Sequence, residues 1–272
     1  MRHLADAGAS PETENHSMRF CLVPTLERLR SVYGVPRGPE RFQAYVDAAV
    51  GGARTSAEVA LPPLALANPM AREPAMECLD RWIGLGAEDV ARRALEEATA
   101  RLPNGSPAVT VRVGLTLLDD VGGGWTNRVI SDAARFSVGK TLSKTGWLSL
   151  PLWASEEVSQ GLLRALVLES VHRAATVTRT GDPLTLRDML RQEGEAAAFA
   201  GHTVTLGAED LEYSRAVIAP HLDSAHQPTA LACLYGDEGA HAWGYPPLGL
   251  SRNAGFEVGL ADAQSRRKGA EP

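Results

Sequence analysis

Glu169 and His172 stand three positions apart in the stretch VLESVH (167–172), so any helix that carries them shows both on one face. A carboxylate beside an imidazole can exchange a proton with a reacting group. Alternatively the imidazole can ligate a metal ion whose bound water the carboxylate deprotonates. On the next helical stretch Leu186, Leu190, Glu193 and Ala197 fall at i, i+4, i+7 and i+11, which places Glu193 on an apolar stripe and turns Glu195 roughly the opposite way. A buried carboxylate needs a partner. Glu169, His172 and Glu193 are therefore expected to converge from consecutive helices.

A second group of polar residues lies in LLDDVGGGWTNRVISDAARF (117–136), where Asp119 and Asp120 end a strand-like run and three glycines follow. Ligands gather beyond strand ends, and glycine lets a backbone approach them closely. Asp119, Asp120, Gly123, Trp125, Asn127 and Arg128 form a candidate ligand-binding set, with an aromatic ring, an amide and a guanidinium to grip a planar or anionic group. The competing reading is a structural turn in which Trp125 fills the core.

The carboxylate–imidazole spacing recurs at Glu238 and His241 in YGDEGAH (235–241). Two such motifs plus a glutamate would suit a di-metal helical bundle. Gly236 and Gly239 disfavour a regular helix there, and the strands argue against a pure bundle, so this copy reads as exposed loop or helix-end residues. VGKT (138–141) lacks the glycine that a phosphate loop needs where Ala134 stands, and no G-x-S-x-G is present.

The elements that must position these residues can be read from periodicity. Residues 1–17 and 262–272 are polar and are expected to fray, leaving 18–261 as a single globular domain. Within it, short helices are expected around VPTLERLRSVYG and from Pro39, and a better one over 88–102. AVTVRVGLTLLDD alternates at Val111, Val113 and Leu115 as a half-buried strand does. GWLSLPLW is a second strand, and Pro151 assigns it to a sheet edge or a bulge. A helix from about Ser155 to Val177 is apolar nearly all round and so interior. The following one is expected to start with Asp182 as N-cap and Pro183 at its first position, and to stop at Gly201. The fold class is α+β, mainly helical, with a small sheet that includes an edge strand.

Composition narrows the partners. The chain of 272 residues is 44% hydrophobic and 22% charged with a net charge of −6, an ordinary globular balance without a basic cluster for phosphate backbones, so nucleic acid is not expected. No apolar run reaches membrane-spanning length, and Cys21, Cys78 and Cys233 form neither a pairable framework nor a thiolate zinc motif. A soluble, cytoplasmic protein is expected, with a small molecule or a peptide as its partner.

The region from Gly146 to His202 resembles the gluzincin branch of the zincin metalloproteases. There, H-E-x-x-H supplies two imidazole ligands and a general base, and a later helix carrying E-G-x-A supplies a third ligand. The resemblance implies Glu169 as catalytic base, His172 and Glu193 as zinc ligands, and GWLSLPLW as the strand along the substrate cleft. Leu168 occupies the place of the first histidine, so zinc would need a replacement such as His202, or would be absent. The resulting expectation is a zincin-like protein with a degenerate metal site, either a binding or scaffold protein or a hydrolase of altered chemistry. The alternatives are a metal-independent enzyme or small-ligand binder built on the loop after Asp120, and a structural or interaction protein.

Overall fold

The computed structural model describes residues 18–50, 61–103, 108–121 and 126–270. Three strands, β1 (Arg19–Leu22), β2 (Thr110–Leu118) and β3 (Trp147–Trp153), form one parallel sheet in that order. The register aligns Phe20 with Val111 and Thr116 with Pro151. Among the described residues β3 bonds only to β2, so Pro151 sits on an edge strand, where its missing N–H breaks no ladder.

β2 departs from the half-buried pattern. Val113 through Leu118 are buried without interruption, as befits the central strand of a parallel sheet covered on both faces. The cover comes from helices α1 (Leu26–Tyr33), α2 (Pro39–Val50), α3 (Glu73–Gly84) and α4 (Ala87–Arg101), which connect β1 to β2, and from those that follow. α5 (Arg128–Asp132) and α6 (Val138–Thr145) lead from β2 to β3.

α7 (Gln160–Thr180) is the interior helix, packed against α4, β3 and α8 (Leu186–Ala200). Ser159 caps it by accepting from the Leu162 N–H at 3.1 Å, so it begins beyond Ser155, after a turn at the end of β3. Leu163, Val167, Leu168 and Val171 are fully enclosed in the main core with Leu150 and Leu152 of β3.

α8 starts later than Asp182-Pro183 indicates. Its N-cap is Thr185, in a reciprocal capping box with Asp188. Asp182 instead accepts from the Gly139 and Lys140 N–H groups at 2.6 and 3.0 Å, capping α6. Gly201, in the left-handed region, closes α8 as expected.

α9 (Ala208–Ile218), α10 (Gln227–Ala242) and α11 (Ala254–Ala270) build a second core with α8, containing Leu186, Leu190, Ile218, Leu234 and Val258. The expected frayed tail from Asp262 is corrected here, because α11 continues to Ala270. Ala263 is buried, and Arg267 donates to the Ala198 carbonyl at 2.9 Å. The two helix backbones touch. A Cβ on Gly194 would lie 2.0 Å from the Gly259 carbonyl oxygen, and one on Gly259 would lie 2.5 Å from that of Leu190. The mainly helical α+β class with a small sheet holds. Among the described residues no helix is long and apolar enough to cross a membrane.

Candidate functional site

The interior position and single turn between α7 and α8 bring their polar residues together, as the stripe on α8 requires. Glu193 is buried, at 4% exposure, and the cations around it are arginines. Arg173, four residues beyond Glu169 on α7, donates to both of its carboxylate oxygens, Nε to Oε1 and Nη2 to Oε2, each at 2.8 Å. Arg135 adds a bond to Oε2 at 3.1 Å, and the neighbouring Gln192 side-chain amide donates to Oε1 at 3.1 Å. Burial alone would raise the Glu193 carboxyl, but the two guanidiniums outweigh it and hold the pKa down to about 2. Arg135 is anchored in turn by Asp132, Nη2 to Oδ1 at 2.8 Å, and lies over the Phe256 ring of α11 at 5.4 Å. A chain of alternating charge, Arg173, Glu193, Arg135 and Asp132, thus runs from the interior to α5.

Glu169 and His172 share a face of α7 but do not share a partner. Glu169 meets the His202 ring just beyond α8, Oε1 to Nε2 at 2.7 Å, and its Oε2 lies 3.7 Å from Arg173 Nη2. The bond to Glu169 raises the His202 pKa against the opposing effect of burial, with Glu257 helping. His172 packs its ring on Phe199 with centroids 5.0 Å apart, and its Nδ1 is buried without a hydrogen-bond partner among the described residues. Burial first, then the charges of Arg267, Arg173 and Arg179, lower its pKa to about 4. This imidazole is neutral at neutral pH.

These donors do not fit zinc as they stand. Both Glu193 oxygens are engaged by guanidiniums, Glu169 is engaged by His202, and Leu168 is sealed in the core at 0% exposure. Among the described residues no group of three or more His, Cys, Asp or Glu side chains is placed to hold a metal ion. The structure brings Glu169 and Glu193 to Arg173, places His202 on Glu169, and leaves His172 packed on Phe199. Reading the sequence by motif missed Arg173 and Arg135. The available signal was Arg173 itself, a cation in the most apolar stretch of an interior helix, opposite a glutamate that needed one.

The residues after β2 hold the sheet's carboxyl end together. Asp119 is buried and accepts from the Asn68 side-chain amide at 2.8 Å, while the Tyr33 hydroxyl donates to the Asn68 carbonyl at 2.9 Å. Asp120 accepts from the N–H and the hydroxyl of Ser155 at 2.9 and 2.5 Å, which ties β2 to the turn after β3. Arg128 pairs with Glu156, reaches Ser155 Oγ at 3.3 Å and lies over Trp153 at 5.1 Å. Asn127 is exposed, and its carbonyl accepts from the Ser131 N–H at the start of α5. Gly123 and Trp125, the other two candidates of this set, lie outside the described residues.

Arg128 also faces a second feature. A cleft of about 130 Å³ lies between α5, α10 and the residues that enter α11, lined by Arg128, Asp132, Tyr235, Glu238, Arg252 and Asn253. Its walls are set by an interruption in α10. Gly236 has φ of +73° there, and a Cβ would lie 2.0 Å from the Ser251 carbonyl oxygen. The next residue, Asp237, accepts from the N–H groups of Leu248, Gly249 and Leu250 through Oδ1 at 2.8 to 3.0 Å. Glu238 and His241 are exposed, and Glu238 lies 3.5 Å from Arg252. The second carboxylate–imidazole pair is thus a rim, as its glycines indicated.

No protein family, curated protein or solved structure matches this chain.

Proposed function

We propose that this chain is a zincin-like protein whose metal centre is replaced by an arginine–carboxylate cluster, and that it works by binding a ligand and not by metal-assisted hydrolysis. The observation that carries this reading is the bidentate hold of Arg173 on Glu193, joined by Arg135. In the gluzincin pattern that glutamate faces a divalent cation; here two guanidiniums balance it. A planar guanidinium can neutralise a carboxylate but cannot lower the pKa of a water molecule as a metal does. Glu169 carries His202 on one of its two oxygens.

The test is bound zinc per chain after loading and dialysis. Wild-type protein is expected to retain far less than one equivalent. Leu168→His combined with Arg173→Leu and Arg135→Leu creates an H-E-x-x-H helix and frees Glu193 of both guanidiniums, and is expected to gain zinc that is lost again on adding His172→Ala. Stoichiometric zinc in the wild type, lost in Glu193→Gln, would overturn the metal-free reading. No gain in a folded Leu168→His/Arg173→Leu/Arg135→Leu protein would overturn the zincin-like one.

The small-ligand reading built on the residues after β2 is supported at one residue, Arg128, which projects from that segment into the cleft. Asp119 and Asp120 act there as staples.

A further inference from the structure

We infer that the cleft between α5, α10 and the start of α11 binds a compact zwitterion of the free α-amino acid class. This rests on the ligand-binding role proposed above and names the ligand.

The first argument is charge. The cleft is lined by two guanidiniums, Arg128 and Arg252, and two carboxylates, Asp132 and Glu238, so its formal charge is zero while both signs are present. A net anion or cation meets as much repulsion as attraction in such a site. Arg128 is already paired with Glu156 and Asp132 with Arg135, so a dipolar ion lays its carboxylate chiefly against Arg252 and its ammonium against Glu238. Size agrees, since about 130 Å³ is well under the roughly 300–1,000 Å³ of pockets for drug-sized ligands.

The second argument is unused bonding capacity. Arg252 and Glu238 are each about two-thirds exposed, at 68% and 67%, and approach only to 3.5 Å, a loose pair that a ligand can part at small cost. Tyr235 forms part of the cleft wall and is 7% exposed.

The third argument is a backbone held in place. Asn253 is the one non-glycine with positive φ among the described residues, at +60°, and it lines the cleft while its N–H donates to the Tyr235 carbonyl at 3.0 Å. Strain of this kind persists where the surroundings over-determine it, and it clusters at binding sites. Here the Gly236 interruption and the triple acceptor Asp237 supply the surroundings.

The experiment is isothermal titration of the full chain with the free amino acids, with acetate and methylamine as single-charge controls. At least one amino acid is expected to give saturable binding that neither control reproduces. Arg252→Gln and Glu238→Gln are each expected to weaken it about tenfold or more, whereas the distant Arg187→Gln leaves it unchanged. Binding by acetate or methylamine alone at equal strength, or an affinity indifferent to Arg252→Gln and Glu238→Gln, overturns the proposal. So does the absence of heat with every amino acid up to ~10 mM, a concentration that detects even millimolar affinity. Zinc content of the same preparations bears on the metal-free reading alone, and capture of another small molecule, lost in Arg252→Gln, would keep the binding role while removing the amino acid.

Discussion

The same spacing, a glutamate and a histidine three residues apart, occurs twice, and the two copies have little else in common. On α7 the pair lies between packed helices. Glu169 is committed to His202 and near Arg173, and His172 is wedged against Phe199. On α10 the pair stands on a rim, where Glu238 lies 3.5 Å from Arg252 in solvent and the residue just before the pair, Asp237, does the structural work. Spacing places two side chains on one face. What they do is decided by what the neighbouring helix presents to that face.

The sharpest way to break this contrast is to remove charge from each copy's surroundings. Arg173→Ala leaves Glu193 buried with Arg135 as its one ionic partner, and Glu193→Ala leaves two guanidiniums short of a carboxylate. Each is expected to cost about 3–5 kcal/mol in urea denaturation. Arg173→Met with Glu193→Met should cost less than either single change, since no unmatched charge then remains between α7 and α8. If the singles cost no more than a surface pair, the cluster is not what holds these helices together.

Next in size is the backbone of the second copy. Gly236→Ala asks a side chain to adopt φ of +73° and to overlap the Ser251 carbonyl, so a loss above about 2 kcal/mol is expected. Asp237→Ala, which leaves three N–H groups without their acceptor, should cost about 1–3 kcal/mol. Both should loosen the cleft as well as the fold. A Gly236→Ala protein as stable as wild type would mean that α10 can straighten.

Protonation distinguishes the two histidines around Glu169. The pKa of His172 is lowered from 6.5 to about 4 in the folded chain, so the unfolded chain binds the proton more readily. Its contribution is present above pH 6.5 and is lost as the pH falls from there toward 4, by up to about 3 kcal/mol. His202 is raised, so its contribution has the opposite sign, present below pH 6.5 and lost as the pH rises through its folded value. His172→Gln should flatten stability on the acid side, and His202→Gln should flatten it on the alkaline side. An unchanged acid slope in His172→Gln would show that the ring can escape to solvent.

Much of this was legible in the residues, and the misses have physical causes. The apolar stripe announced that Glu193 would be buried and paired, and Pro151 assigned β3 to an edge. The start of α8 was misread because Asp-Pro and Thr-x-x-Asp are both valid helix openings. Asp182 was claimed by the N–H groups of α6, a tertiary competitor that local reading cannot see. α11 was read as partly tail because its contact surface is made of glycine and alanine. Gly255, Gly259 and Ala263 recur every fourth residue and leave no apolar stripe to recognise, only room for neighbouring backbones, that of α10 at Gly255 and that of α8 at Gly259. Arg173 was passed over as partner because long cationic side chains usually carry their charge to water.

The smallest expected effect is also the one that most sharpens the comparison. Glu238→Ala and His241→Ala alter the same two residue types as Glu169→Ala and His172→Ala, at the same spacing, but on the rim. Glu238 pairs with Arg252 at 3.5 Å with both partners about two-thirds exposed, where solvent and salt screen most of the attraction, so both rim changes should stay within about 0.5 kcal/mol of wild type. On α7, Glu169→Ala strips His202 of its short bond and removes one of the two carboxylates near Arg173, so it should cost about 1–2 kcal/mol. Urea melts of the four single variants in low and high salt settle the ordering. Salt should shrink what little the rim pair contributes and leave the α7 difference largely intact, because a partly buried pair is screened less. Equal losses at both copies would mean that α7 gives its pair no more shelter than a rim does, and that the contrast in packing has no energetic counterpart.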